Sequence, residues 1–211
     1  MTNLTTLLAL ADSRLPSGGH VHSGGVEEAI TGGLVTGIPT LAAYLRRRIR
    51  THGLVTASLA VVTQTAAWSP ERADAEIDAR TPSPAARAAS RSQGRGLLRL
   101  ARRVWPQQDW TALGREPHVA IVAAMVGRAA GLSPAHTALA LVYTTMTGSA
   151  TAAQRLLALD PADVAALTFE LADLCESTAA AATEGPAELS DPLLDVLAQR
   201  HADRDRPLFV S

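Results

Sequence analysis

Residues 133–146 read SPAHTALALVYTTM and contain the pattern that decides the fold. Ser133 directly precedes Pro134, as when an N-cap side chain is followed by proline at the first helical position. The apolar residues that follow are spaced by three and four positions: Leu139, Val142, Tyr143 and Met146. This spacing is the period of one helix face, so the stretch predicts a helix with one buried side.

The same start signal recurs at four other places: Ser69-Pro70, Ser83-Pro84, Asp160-Pro161 and Asp191-Pro192. The run LVTASLAVV at 54–62 has the composition of a buried strand, but it continues from a helical pattern. We therefore assign it to a buried helix that is interrupted near Gly53. The prediction is an all-α fold of roughly ten helices, at 3–11, 24–32, 39–52, 54–67, 70–79, 84–104, 117–130, 134–158, 161–183 and 191–205.

The composition agrees with closely packed helices. Of the 211 residues, 47% are hydrophobic and only 3% are aromatic, so the core must consist mainly of Ala, Leu and Val. The connections between helices are short, and none is long enough to require a domain boundary. We predict one compact helical domain over residues 1–211.

Charge and hydropathy predict the environment of the protein. The formal net charge of −1 gives no general attraction to nucleic acid or anionic lipid. The N-terminus lacks the basic region of a secretory signal, and no stretch approaches the ~18 apolar residues of a membrane span. The single cysteine, Cys175, excludes an internal disulfide and is expected to be a buried core residue. We predict a cytoplasmic protein with neither a membrane nor a nucleic-acid partner.

The sequence offers little for enzyme chemistry. All 19 basic residues are arginine. Without lysine, the chain lacks a Walker A phosphate loop, Schiff-base catalysis and a protein-kinase site. It also lacks a G-x-S-x-G nucleophile elbow. We predict an interaction protein with no catalytic residues.

Residues 10–30, LADSRLPSGGHVHSGGVEEAI, contain two glycine pairs in an otherwise helix-forming chain. Phosphate fingerprints need a preceding strand, which is missing here. We favour a mechanical interpretation, in which polar side chains form turns and caps and glycines let the chain bend. The turn and cap positions are Asp12, Ser13, Pro16, Gly18, Gly19 and Ser23.

His20 and His22 in this loop are weak candidates for metal ligands. An i, i+2 pair does not share a helix face, and structural zinc takes about four ligands. Glu27, Glu28 and His52 could add ligands, but a second His-rich or Cys-rich pair is missing. The alternative of a helical metal-binding protein, using His20, His22 and Cys175, stays open.

Six arginines follow one another at three- and four-residue spacing on the predicted helix 84–104: Arg87, Arg91, Arg95, Arg99, Arg102 and Arg103. Like charges four apart destabilise an isolated helix, so some partner must offset them. Pairing with acids of neighbouring helices and binding of an acidic protein are both open interpretations. Nucleic-acid binding is less favoured because the chain is near neutral and has few aromatic residues.

The C-terminal residues, DRDRPLFVS, do not fit helical packing. Pro207 ends the preceding helix, and three apolar side chains follow: Leu208, Phe209 and Val210. An apolar tail requires cover from a partner or from the protein's own surface. We favour docking of this tail.

The loop and the tail together resemble those of the urease accessory protein UreF family. That family has an L-x-D-S-x-x-P-[ST]-G-x-x-x-H-S-x-G-[LIVM]-E pattern and an R-L-F-x-S tail. The N-terminal pattern is met by Leu10, Asp12, Ser13, Pro16, Ser17, Gly18, His22, Ser23, Gly25, Val26 and Glu27. The resemblance continues through SRSQGRGLLRL at 90–100 and GSATAAQRLLALD at 148–160, and covers essentially the whole chain.

The resemblance implies an all-α homodimer with a non-enzymatic role in urease maturation. UreF-like proteins bind UreD (UreH in some organisms), recruit the GTPase UreG and present the assembly to apo-urease. They couple the nucleotide state of UreG to nickel insertion. Nickel is then handled by the complex and GTP is bound by UreG, so no stably bound cofactor is expected here.

The resemblance also implies sites. Arg206, Leu208, Phe209 and Ser211 match the family tail that docks on UreD/UreH. Arg155 matches a basic position near the dimer or partner surface. After it, Leu159, Asp160 and Pro161 replace the family's usual Leu-Gly-Gln. From the loop, Asp12, Ser13, Pro16, Gly18, Gly19, His22, Ser23, Gly25 and Glu27 are expected at a partner surface. As a hypothesis, His22 and Glu27 line a route for nickel.

Overall fold

The structure is a computed structural model and describes residues 4–12, 14–16, 19–205 and 207–209, with the His20 side chain excepted. Its α-helices are α1 (Leu4–Ala11), α2 (Val26–Thr31), α3 (Ile38–Arg48), α4 (Leu54–Gln64), α5 (Pro70–Arg80), α6 (Pro84–Val104), α7 (Val119–Ala129), α8 (Pro134–Leu157), α9 (Pro161–Glu170), α10 (Ala172–Ala181) and α11 (Pro192–Ala202). Short 3₁₀ turns lie at Gly19–Val21 and Thr111–Leu113. Within these described ranges there is no strand, so the predicted all-α class is confirmed.

The five predicted helix starts are confirmed by their capping hydrogen bonds. Each capping oxygen accepts a backbone N–H from the first turn of its helix, at 2.8–3.3 Å. The capping residues are Ser69, Ser83, Ser133, Asp160 and Asp191, and each is followed by proline at the first helical position. Local chemistry alone therefore sets where these helices begin.

The predicted interruption near Gly53 takes the form of a π-helical turn at Ile49–Gly53 rather than a break. The chain is helical without a gap from Ile38 to Gln64, and the strand-like run at 54–62 is helical, as predicted. The prediction of one helix at 161–183 is wrong, because the structure has two helices there, α9 and α10. The chain bends at Leu171 (φ −90°, ψ 1°), which lets Leu167 and Cys175 pack in the same core.

The interior consists of two groups of apolar side chains. The first lies between α2, α3, α8, α9, α10 and α11, and its centre includes Leu45, Ile49 and Met146. The second lies between α4, α5, α6 and α7, around Leu59 and Ile121. Helix α4 contributes to both groups, and α8 packs against α4, α7 and α10. The core consists mainly of Ala, Leu and Val, as the composition predicted.

In the part of the chain that the structure describes, no helix is long and apolar enough to cross a membrane.

Candidate partner-docking surface

The loop after α1 is shaped by the Asp12 carboxylate. Its oxygens accept the backbone N–H of Arg14 at 2.8 Å and the guanidinium of the same residue at 2.7–3.2 Å. The hydrogen bonds from Arg14 lower the pKa of Asp12 to about 2. The predicted turn role of Asp12 is thus confirmed. Ser13 and Gly18 lie outside the described residues, while Pro16 is exposed and Gly19 begins the 3₁₀ turn.

The second glycine pair carries the chain into α2. Gly24 and Gly25 have φ of +64° and +84°, a region that favours glycine. A Cβ on Gly25 would lie 3.1 Å from both Leu194 Cδ1 and the Tyr44 hydroxyl oxygen. The close approach of α11 and α3 to this turn therefore requires glycine. The prediction that Ser23 is the N-cap of α2 is wrong, because the N-cap is Gly25. The Ser23 hydroxyl instead accepts a hydrogen bond from the backbone N–H of Glu27 at 3.4 Å.

Glu27, in the first turn of α2, has a buried carboxylate that binds the C-terminal segment. Its oxygens accept hydrogen bonds from His201 Nε2 at 2.8 Å, Leu208 N–H at 2.9 Å and Phe209 N–H at 3.1 Å. Burial alone would raise the pKa of Glu27, but the hydrogen bonds from Leu208, His201 and Phe209 outweigh it and lower the pKa. The charged form of Glu27 is thus the one that holds the tail.

The neighbouring glutamate strengthens this connection. Glu28 accepts a hydrogen bond from Arg204 Nη1 at 3.1 Å, and the same nitrogen donates to the Thr31 hydroxyl at 2.7 Å. Both glutamates of α2 thereby bind the segment that follows α11. The first turn of α2 and the end of the chain form one unit.

The two apolar tail residues that the structure describes point in different directions, one inward and one outward. Phe209 packs against the first core, whereas Leu208 is 80% exposed. The protein's own surface therefore covers Phe209 and leaves Leu208 available to a partner. Arg206, Val210 and Ser211 lie outside the described residues.

A cavity of about 560 Å³ opens beside this unit. Its lining includes His22, Gly24, Arg48, His52, Arg155 and Phe209. Arg155 is exposed, and His22 and Arg48 are buried. The structure thus brings the loop, Arg155 and the tail, which were predicted separately, to the walls of one cavity.

Of the predicted partner contacts, several are buried. Ser23, Gly25 and Glu27 pack inside the protein and support the surface from beneath. A direct contact between them and a partner stays a prediction, as does metal binding by His20 and His22. Asp12 and Leu208 lie at the surface, and Phe209 is half-buried beside Leu208.

The described residues contain one group of three side chains with metal-ligand chemistry, Asp74, Asp78 and His118, remote in sequence from the loop. Their atoms are engaged with one another and with Arg91, whose Nη2 lies 2.9 Å and 2.7 Å from the two carboxylates. Two guanidinium groups, those of Arg91 and Arg87, already pair with the two carboxylates, so this is an ion-pair network between α5, α6 and α7.

Cys175 is a core residue, as predicted. It is 2% exposed, and its Sγ lies 3.7 Å from Met146 Sδ. Burial raises the pKa of the thiol to about 11, so the nucleophilic thiolate is not formed at neutral pH.

The arginine face of α6 is divided. Its first half is paired with acids of neighbouring segments, as one of the open interpretations predicted: Arg87 and Arg91 with Asp78, and Arg95 with Glu116. The second half, Arg99, Arg102 and Arg103, is exposed. None of these three has a carboxylate within ion-pair distance among the described residues.

Comparison with known proteins identifies the class. A family model described as UreF matches residues 35–172. The chain is 71% identical to a urease accessory protein UreF of Mycobacterium sp. (strain JLS), over 211 residues and 100% of both chains. It is 69% identical to that of Mycobacterium marinum (strain ATCC BAA-535 / M) and 65% to that of Mycobacterium tuberculosis (strain ATCC 25177 / H37Ra), again over the full length of both chains.

The class is therefore that of accessory proteins in urease maturation, which are not enzymes. Within that class, the chain belongs to the UreF family. The loop and tail lie outside residues 35–172, but the full-length relatives cover them.

Sequence reasoning missed several residues that organise this surface. His201 is 174 positions from Glu27, and no local pattern connects them. Arg48 carried a weaker signal, because three consecutive arginines, 46–48, cover about 200° of a helix and one of them can lie beside the buried face. Tyr44 and Arg48 both donate to Gly24 O, at 2.8 and 2.6 Å.

Proposed function

We propose that this protein is the scaffold that binds UreD/UreH, recruits the GTPase UreG and couples the nucleotide state of UreG to nickel insertion into apo-urease. In this proposal it acts as a cytoplasmic homodimer. Nickel is cargo handled by the complex, and GTP is bound by UreG. The scaffold itself holds no cofactor stably.

The observation that carries the proposal is the tail held against Glu27. Two backbone N–H groups of the tail bind one buried carboxylate, while Leu208 stays 80% exposed beside them. An exposed apolar side chain on an ordered backbone is the arrangement expected of a docking residue. UreD/UreH is the partner we assign to this surface, following the resemblance of the tail to the family pattern.

The absence of lysine from this chain supports a scaffold that leaves nucleotide binding to its partner. A P-loop needs a lysine on the nucleotide phosphates, and this chain has none, so the nucleotide chemistry belongs to a partner. The scaffold contributes surfaces. Arg155, exposed at the cavity, is the proposed contact on the dimer or partner side.

The proposed nickel route would pass His22, which lines the cavity. Glu27 already accepts three hydrogen bonds, so it can contact nickel only after the tail has moved. We expect His22→Ala to lower the nickel content of co-produced urease while the scaffold keeps its helicity and oligomeric state. His136→Ala, in the first turn of α8, is the control. An unchanged nickel content in the His22 variant would exclude this route.

The proposal as a whole is tested by co-production with UreD/UreH and UreG, followed by size-exclusion chromatography with light scattering. The comparison is between the full chain and a chain lacking residues 206–211, with and without GTP. A complex that needs the tail, and that includes UreG in a nucleotide-dependent manner, supports the scaffold. Absence of a complex under every condition would contradict it.

A further inference from the structure

Arg48 is a buried cation whose hydrogen bonding is incomplete. The residue is 5% exposed and lies at the end of α3, beside the glycine turn. Nη1 donates to Gly24 O at 2.6 Å. Nε is buried and has no hydrogen-bond partner at all. A buried arginine normally has its donors satisfied, because an unpaired buried charge is costly.

The nearby acid, Asp191, makes its direct contacts with groups other than the Arg48 guanidinium. Asp191 is bound by Arg47, by the Thr51 hydroxyl at 2.8 Å and by the Leu194 N–H at 3.1 Å. Arg47 thus forms the direct ion pair with Asp191, and the charge of this carboxylate acts on Arg48 only at longer range. Among the described residues, no carboxylate oxygen lies within 4.0 Å of the Arg48 guanidinium.

The guanidinium faces space rather than a protein anion. Arg48 lines the 560 Å³ cavity together with Gly24, His52 and Ser149. A Cβ on Gly24 would lie 3.0 Å from Arg48 Nη2 and 2.8 Å from Ser149 Oγ. The glycine therefore keeps this end of the cavity from being filled by a side chain.

His52, which lines the same end of the cavity as Arg48, carries no charge. Burial lowers the pKa of His52 to about 3, and the Arg48 charge acts in the same direction. His52 is thus a neutral imidazole at pH 7 and can donate a hydrogen bond without competing for an anion. The positive charge of this region of the cavity belongs to Arg48.

We propose that the Arg48 end of the cavity binds a small oxyanion, of the size of a carboxylate or a phosphate. The planar guanidinium suits recognition of such groups, and an anion oxygen would satisfy the unpaired Nε–H. The anion would neutralise the buried charge. It would also fix the glycine turn through the Arg48–Gly24 hydrogen bond.

The test measures thermal unfolding of the full chain with two probes, inorganic phosphate and acetate, at millimolar concentration and constant ionic strength set with sodium chloride. Three proteins are compared: the unchanged chain, Arg48→Gln and Arg50→Gln. Arg50 is exposed and two residues away, so its variant has the same charge change without the cavity. Phosphate also raises Tm non-specifically at high concentration; the rise that remains in Arg48→Gln measures this part, while Arg50→Gln controls for the loss of one positive charge.

We expect a saturable rise in Tm of about 2–4 °C at roughly five times Kd, in the unchanged chain and in Arg50→Gln. Arg48→Gln should lose it. A response to phosphate alone or to acetate alone supports the site and identifies its preferred shape. Equal responses in all three proteins, or no saturable response in the unchanged chain, would overturn it.

If Arg48→Gln fails to fold, a second measurement replaces the variant. The unchanged chain should broaden the ³¹P signal of phosphate, and acetate should reverse the broadening. No broadening would overturn the proposal. So would a third result: no small-anion response in the unchanged chain, but weaker binding of UreD/UreH by Arg48→Gln. In that case the charge serves an acidic side chain of the partner.

Discussion

Among the described residues, two histidine–carboxylate pairs connect separate helices, one fully buried and one with a partly exposed aspartate, and they hold the structure together in different ways. Glu27 and His201 join α2 to α11 and the tail, and both side chains are at most 3% exposed. Asp78 and His118 join α5 to the start of α7. The two pairs have similar separations, 2.8 and 2.9 Å. They differ in what surrounds them.

The Asp78–His118 pair is embedded in a redundant network. The His118 ring also bonds the Ser90 hydroxyl at 2.9 Å, its backbone N–H donates to Asp74 at 2.9 Å, and Arg91 binds both aspartates. Loss of one bond leaves several others between the same helices. Several hydrogen bonds and ion pairs therefore join α5, α6 and the start of α7.

Among the described residues, the tail backbone at Leu208 and Phe209 is held by fewer hydrogen bonds. The backbone N–H groups of Leu208 and Phe209 both depend on one carboxylate, which is the acceptor that the structure gives them. Glu27 therefore accepts both of these backbone hydrogen bonds, while the packing of Phe209 and the contact between Arg204 and Glu28 also hold the segment. Similar histidine–carboxylate contacts thus occur in a network with several cross-links and at a single carboxylate that binds the tail. We call Glu27 with the backbone N–H groups of Leu208 and Phe209 the tail clip.

The largest expected effect on stability comes from forcing α6 away from the backbone at Pro117 and His118, beside the Asp78–His118 pair. A Cβ on Gly94 of α6 would lie 2.0 Å from Pro117 O and 3.0 Å from the carbonyl carbon of His118. We expect Gly94→Ala to lower the free energy of unfolding by about 2–3 kcal/mol, measured by urea denaturation, because backbone must move. Gly148→Ala is the control; it meets nothing within 4 Å and should gain up to about 1 kcal/mol. Equal stability of both variants would contradict the packing described here.

Removing the charge of Glu27 should have a smaller effect on stability and a specific one on the tail. Glu27→Gln weakens three hydrogen bonds to a buried carboxylate, so we expect a loss of about 1–2 kcal/mol. Amide exchange at Leu208 and Phe209 should become faster than in the unchanged chain. Glu28→Gln removes a partly exposed pair with Arg204 and should cost below about 1 kcal/mol. Unchanged exchange at the tail in the Glu27 variant would show that the clip does not depend on this carboxylate.

The two pairs should also respond to different pH ranges. Burial lowers the pKa of His118, so its stabilising contribution is present above about pH 6.5 and is lost as pH falls through the lowered value. Glu27 has a pKa below its ordinary 4.5, so its contribution is lost only at lower pH, as pH falls below about 4.5.

We therefore expect His118→Gln to reduce the decline in stability between about pH 6.5 and 5, by less than the ~1.4 kcal/mol per pH unit of one full proton. His52, whose pKa is also lowered, leaves part of the slope in place. Glu28→Gln should leave this range unchanged, because Glu28 pairs with Arg204 and not with a histidine. Urea denaturation at several pH values measures both, and identical slopes for the unchanged chain and His118→Gln would refute the assignment.

The sequence predicted what depends on local chemistry. Ser83 and Asp191 begin helices because a capping oxygen and a proline act within four residues of one another. The bend at Leu171 was missed because the apolar period continues through it. Gly94 stood in a helix interior, which is a signal of close packing, but the partner backbone at Pro117 is invisible to periodicity.

The candidate site was predicted in its parts and not in its connections. The loop, Arg155 and the tail were each singled out, and the structure places them around one cavity. The hydrogen bonds from Leu208 and Phe209 to Glu27 span more than 180 residues of chain, and backbone donors leave no trace in the amino-acid pattern. Glu27 therefore looked like a surface residue of the loop, whereas it is buried and holds the tail.

The central claim is that the clipped tail is the docking surface for UreD/UreH. The most direct measurement is the affinity of UreD/UreH for four forms of the full chain: unchanged, Leu208→Asp, Glu27→Gln and Val104→Asp. Val104 is also an exposed apolar residue, 52% accessible, but it lies at the end of α6. We predict at least about tenfold weaker binding for Leu208→Asp and Glu27→Gln, and unchanged binding for Val104→Asp. Equal affinity of all four forms would contradict the account.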